Sequence, residues 1–120
     1  MEMNNKDIAL KAAAVLVNKK ALDVVIIDIT EKSSFADYFV IASGGSERQV
    51  GTLADEIGDQ FAKEGILTRS VEGKNTSGWI LMDFGDVIVN IFTVEQRERY
   101  KIEKVWSDCG IITIDENDLQ

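Results

Sequence analysis

The chain has 120 residues, 45% of them hydrophobic, with 21 acidic against 13 basic side chains and a net charge of −8. That length and apolar fraction suit one compact domain and exclude a disordered chain. With no histidine and a single cysteine, Cys109, a Ser-His triad, a His metal site, an intramolecular disulfide and a cysteine zinc cluster are all excluded.

The charge argues against a bare nucleic-acid backbone as partner, DNA included, and favours a basic protein surface. The longest apolar run, Ala12 to Val17, is far short of the ~18 residues that span a bilayer, so no membrane association is expected. The N-terminus has no signal-peptide pattern, and the lone cysteine fits a reducing compartment, so a cytoplasmic location is expected. There is no proline, repeat or linker, and residues 1–120 read as one domain.

Taken in chain order, Lys6 to Lys20 reads as a helix with Ile8, Ala12, Val15 and Leu16 on one face. Val24 to Ile29 reads as a buried strand interrupted by Asp28, which either faces solvent or pairs with Lys32. After a polar loop comes a second strand, Tyr38 to Ala42, ended by Ser43-Gly44-Gly45. Ser46-Glu47-Arg48-Gln49 is a capping box, and the helix it opens carries the stripe Val50, Leu53, Ala54, Ile57 and Phe61 up to a glycine stop at Gly65. Leu67 to Val71 reads as a short strand. Trp79 to Asp83 and Val87 to Phe92 read as an antiparallel hairpin turning at Phe84-Gly85. Thr93-Val94-Glu95-Gln96 is a second capping box, opening a helix to about Asp108 with Gly110 as its stop and Ile102, Val105, Trp106 and Cys109 inward. Residues 110–120 then read as an acidic tail. The order α-β-β-α-β-β-β-α gives an α/β (α+β) fold with a mixed five-stranded sheet packed by helices.

Several motifs resolve into ordinary structure. Asp83-Phe84-Gly85 spells a kinase tripeptide, but a kinase domain does not fit this length. Ser43-Gly44-Gly45-Ser46 lacks the spacing and lysine of a phosphate-binding loop. Ser33, Ser34 and Asp37 are standard turn residues. Asn75-Thr76-Ser77 is a glycosylation sequon by spelling alone. A nucleotidyltransferase would place two carboxylates two apart on a strand to hold magnesium. Here Asp86 is followed two residues later by Ile88, which cannot ligate a metal, so neither metal, cofactor nor catalytic residue is expected. Alternation puts Trp79, Leu81 and Asp83 on one face of their strand and Ile80 and Met82 on the other. If helices cover one face only, the Trp79 face is an interaction surface, with Tyr100 as a further half-exposed aromatic.

The stretches Ser33 to Gly44, Ser46 to Val50, Val71-Glu72-Gly73 and Gly78 to Val89, followed by Arg97, Tyr100 and Trp106, resemble the signatures of the Iojap-related ribosomal silencing factors over about residues 6 to 108. The family commonly has histidine at the position of Asn90. The resemblance implies a nucleotidyltransferase-like fold without catalysis, and homodimers. It also implies binding to ribosomal protein L-fourteen on the large subunit, which blocks the small subunit from joining and represses translation. Candidate partner-binding residues are Trp79, Leu81, Asp83, Asn90, Arg97 and Tyr100. The rival readings are a large-subunit assembly factor using the same surface and a divergent nucleotidyltransferase using Asp83 and Asp86.

Overall fold

A computed structural model describes residues 4–114. Helix α1 (Asn5–Asn18) starts where the Asn4 side chain accepts the Asp7 N–H at 2.8 Å, with Asp7 favourably placed in the first turn. It buries Ala9, Ala12, Ala13, Val15, Leu16 and Val17. Strands β1 (Leu22–Asp28) and β2 (Tyr38–Gly44) form an antiparallel pair, with a bulge between Leu22 and Val25 where Asp23 takes a positive φ of 48°. Helix α2 (Glu47–Lys63) opens as its capping signal requires: Ser46 Oγ accepts the Gln49 N–H at 3.1 Å. The Gln49 side chain reaches back one residue further than a simple box, accepting from the Gly45 N–H at 2.6 Å. The stripe Val50, Leu53, Ala54, Ile57 and Phe61 is buried throughout.

Strand β3 (Ser70–Glu72) is shorter than the sequence suggests and starts later; Leu67 lies outside it, exposed. A 3-10 turn at Asn75–Ser77 leads into β4 (Trp79–Asp83), which pairs antiparallel with β5 (Val87–Thr93). The reversal is closed by Asp83, whose Oδ1 accepts the Gly85 N–H at 2.7 Å, and Gly85 takes the expected positive φ of 94°. Helix α3 (Val94–Tyr100) begins with Thr93 Oγ1 accepting the Gln96 N–H at 3.3 Å.

Several expectations fail at the C-terminal end. Helix α3 stops at Tyr100, well before Asp108, because Lys101 takes a left-handed conformation (φ 46°) that no glycine announces. A 3-10 turn, Ile102–Lys104, follows. The break lets Ile102, Trp106 and Cys109 pack on the sheet, whereas Val105 is exposed, contrary to the inward placement expected of it. Gly110 is not a helix stop, nor does it begin a tail. It begins β6 (Gly110–Ile114), an edge strand antiparallel to β1, so among the described residues the sheet has six strands where five were expected. The β-branched residues Ile111 to Ile114 favour this extended state. The acidic Asp115, Glu116 and Asp118 lie outside the described residues.

The sheet order is β3-β4-β5-β2-β1-β6, with β2 and β5 the parallel pair and the other neighbours antiparallel. It is the expected mixed α/β sheet packed by helices. On one face α1 and α2 bury Val24, Ile26, Val40, Ala42, Ile80, Met82, Val89 and Ile91 against Leu16, Leu53, Ile57 and Phe61. The other face carries Val25, Ile27, Ile41, Ile88 and Phe92, with Ile102, Trp106 and Cys109 packed against them from the segment after α3. This thinner cover leaves the β4 side of the second face partly open.

Candidate interaction surface

On β4 the burial pattern alternates strictly: Ile80 and Met82 are buried under the helices, while Trp79, Leu81 and Asp83 are half-buried on the opposite face. Register sets their neighbours. Trp79 lies opposite Phe92, Leu81 opposite Asn90, and Asp83 opposite Ile88, while Glu72 on β3 lies opposite Leu81 from the other side. The Trp79 ring stacks on Phe92 with centroids 4.9 Å apart and planes 27° from parallel. Tyr100, at the end of α3 and half-exposed, lies 4.9 Å from Trp79 with planes tilted by 46°. Trp79 therefore belongs to both core and surface: one part is packed on Phe92 and the remainder is presented at the surface.

Asn90 is 1% exposed. Its Oδ1 accepts the Trp79 indole N–H at 3.1 Å, and its Nδ2 finds no acceptor among the described residues. It touches the surface through Trp79, whose ring it orients. Arg97 is also turned inward. Its guanidinium forks onto Glu103 at 3.0 and 3.1 Å, and Nη1 donates to the Asp23 carbonyl at 2.6 Å and to Ser43 Oγ at 3.1 Å. Arg97 thus anchors α3 and the following turn to the β1 bulge and the end of β2. Of the six candidate residues, Trp79, Leu81 and Tyr100 form a contiguous surface, Asp83 lies further along β4 in the hairpin turn, Asn90 supports the surface from beneath through Trp79, and Arg97 makes its contacts away from it, with Glu103, Asp23 and Ser43.

Two features escape sequence reasoning. Gly73, Ser77 and Glu72 join Trp79, Leu81 and Tyr100 around a pocket of about 230 Å³. Gly73 has φ 86°, and a Cβ there would meet the Trp79 carbonyl at 2.2 Å, so only glycine permits this approach. The Gln96 side chain donates to the Ser77 carbonyl at 3.2 Å and ties α3 to the pocket wall. The second feature is an aromatic cluster of Phe35, Phe39 and Trp106, with centroids 5.5 to 6.3 Å apart; Phe35 is exposed. The salt bridge from Lys32 to Asp108, 2.9 Å, joins the two loops that build it. Both features depend on loops converging from distant parts of the chain. The available signal was the Val71-Glu72-Gly73 and Phe35 motif residues themselves.

Asp28 faces solvent, and its carboxylate accepts from the Thr30 hydroxyl and N–H rather than pairing with Lys32. Those hydrogen bonds hold its pKa below the ordinary carboxylate value. The carboxylate of Asp83 is engaged by the turn, Asp86 is exposed, and Ile88 is buried in the second-face core. Among the described residues no group of three or more acidic or thiol side chains is placed to hold a metal. No helix there is long and apolar enough to cross a membrane.

Residues 2–120 match the model of the family described as "Ribosomal silencing factor during starvation", RsfS. The chain belongs to this family. It is 40% identical over 113 residues to the ribosomal silencing factor RsfS of Bacillus subtilis, covering 94% of this chain and 96% of the relative. A crystal structure of a Chromobacterium violaceum protein superposes with a TM-score of 0.84 at 30% identity, covering 88% of each chain. A more distant relative is the murine protein named for mitochondrial assembly of the large ribosomal subunit. It is 29% identical over 99 residues, which are 78% of this chain and 42% of that one. The family match extends beyond residues 6 to 108 at both ends and includes β6.

Proposed function

We propose that this member of the silencing-factor family binds the large ribosomal subunit through ribosomal protein L-fourteen, covers the face that the small subunit must meet, and thereby represses translation. The observation that carries the reading is the half-exposed Trp79, Leu81 and Tyr100 surface beside Glu72, with Asp83 further along the same strand, on a sheet face that the long helices leave uncovered. Aromatic anchors within a polar rim are the usual anatomy of a protein-binding site. The net charge of −8 suits a basic ribosomal protein better than bare RNA. The mechanism is occupancy in the cytoplasm, needing no metal, cofactor or enzymatic step, and two copies of the chain form a homodimer in solution.

The test is sedimentation of purified large and small subunits through sucrose, with and without the chain. Silencing requires that the chain co-migrate with large subunits and that free subunits increase at the expense of joined ribosomes. Unchanged joining refutes it. A second reading, assembly of the large subunit, is favoured by the name of the murine relative. It requires co-migration with immature particles and no effect on the joining of mature subunits.

A further inference from the structure

The pocket between β3, β4 and α3 has features that define what would fill it. At about 230 Å³ it is smaller than the ~300–1,000 Å³ typical of small-molecule sites, and it fits one inserted side chain. Its lining combines three elements: the aromatic pair Trp79 and Tyr100, the aliphatic Leu81, and the carboxylate of Glu72. Among the described residues no basic side chain lines it. Glu72 forms no ion pair or side-chain hydrogen bond among the described residues, and the Ser77 hydroxyl is already occupied with the carbonyls of Lys74 and Trp79. An exposed carboxylate with no protein partner among the described residues, next to two aromatic rings and an aliphatic wall, suits a long side chain with an apolar stem and a cationic head.

We infer that this pocket receives a single arginine side chain presented by the ribosomal protein partner. The stem lies along Leu81, and the planar guanidinium packs against the Trp79 and Tyr100 rings while it forks onto the Glu72 carboxylate. The arrangement favours arginine over lysine because a guanidinium both stacks on aromatic rings and pairs with a carboxylate through two parallel hydrogen bonds. Asn90 contributes as a positioning residue: its bond to the indole N–H fixes the Trp79 ring that forms one wall. The inference rests on the proposed ribosomal role and specifies what the partner inserts at the surface.

The test uses the full chain, isotopically labelled, titrated with N-acetyl-arginine amide and followed by NMR at the Trp79 indole N–H, the Leu81 methyl groups and the Tyr100 ring. Comparison ligands are the corresponding citrulline amide, which is neutral and nearly isosteric, and the lysine amide. Saturable shifts are expected at all three residues with arginine, in the millimolar range. Citrulline should bind at least tenfold more weakly, and Glu72→Gln should reduce arginine binding to the citrulline level. No saturable shift, equal binding of citrulline, or an unaffected Glu72→Gln variant would each overturn the inference, and equal binding of lysine would overturn the choice of arginine. Because no ribosome is present, the two proposals fail separately. A responsive pocket with no subunit binding sinks the ribosomal role, whereas subunit binding with an unresponsive pocket sinks the arginine site.

Discussion

Replacing Asn90 with leucine should stabilise the isolated domain, an unusual outcome for a fully buried polar residue that makes a hydrogen bond. The side chain is 1% exposed on β5, between Leu81 and Ile41 of the neighbouring strands. Its Nδ2 has no acceptor among the described residues, and an unmade buried donor costs about 1–3 kcal/mol. Its one bond, from the Trp79 indole at 3.1 Å, contributes about 0.5–1.5 kcal/mol. The gain requires the half-buried Trp79 ring to tilt so that water replaces Asn90 at its N–H, because an indole N–H left facing leucine would itself cost about 1–3 kcal/mol. Leucine has nearly the same volume and no polar atom to desolvate. The balance favours Asn90→Leu by about 1 kcal/mol, equivalent to roughly 3–6 °C in Tm for a domain of this size. Urea unfolding should show a higher midpoint with an unchanged m value. A loss of about 1 kcal/mol or more would show either that the amide is fully satisfied in solution or that the indole N–H is left unpaired, and would refute the reasoning. The same variant should bind the large subunit more weakly, since Trp79 loses the contact that orients it. Stability and binding moving in opposite directions would identify Asn90 as a residue kept for the surface it supports.

Trp79→Ala should cost about 2–3 kcal/mol of stability, below the ~3–5 expected for a fully buried ring, because Trp79 is only half-buried. Tyr100→Ala should cost about 1 kcal/mol or less and yet weaken subunit binding by roughly 2 kcal/mol, about 30-fold; a folded variant that binds at wild-type strength would rule out this surface. Arg97→Ala removes a fork to Glu103 and the clasp on the Asp23 carbonyl, and should cost about 2–3 kcal/mol after allowance for the partial exposure of Glu103, measured by thermal melting beside Arg97→Lys, which should rescue only in part. Asp28 has its folded pKa lowered by Thr30, so its contribution is present above its ordinary value of 3.8 and is lost as pH falls through the lower folded value. The difference in Tm between wild type and Asp28→Asn should therefore be largest near neutral pH and shrink below about pH 4, and a difference independent of pH would disprove the assignment. Incubation with labelled nucleoside triphosphates, magnesium and acceptors should give no transfer; turnover abolished by Asp86→Asn would reinstate the nucleotidyltransferase reading.

Local physical chemistry determined much of this molecule directly from sequence. The capping side chains of Ser46 and Thr93 satisfy helix N–H groups within three residues, and Gly85 turns a hairpin that strict alternation already defines, so these elements and the two faces of β4 were legible without tertiary information. Ile88 at the position where a carboxylate would be needed was legible for the same reason: it depends on a side chain's identity alone. The end of α3 was not legible, because Lys101 adopts a left-handed conformation that its own chemistry disfavours. Contacts between distant residues accompany that break: Arg97 clasping Glu103 and the β1 bulge, and Ile102 and Trp106 packing on the second face. Strand β6 carried a β-branched signal, but its place depended on a free edge of β1 that exists only once the sheet has assembled. The half-burial of Trp79, the inward turn of Asn90 and Arg97, and the pocket shared by Glu72, Trp79 and Tyr100 were likewise decided by tertiary structure. Sequence alternation assigns a residue to a face of the sheet, but only the packing of distant segments decides how much of that face is covered.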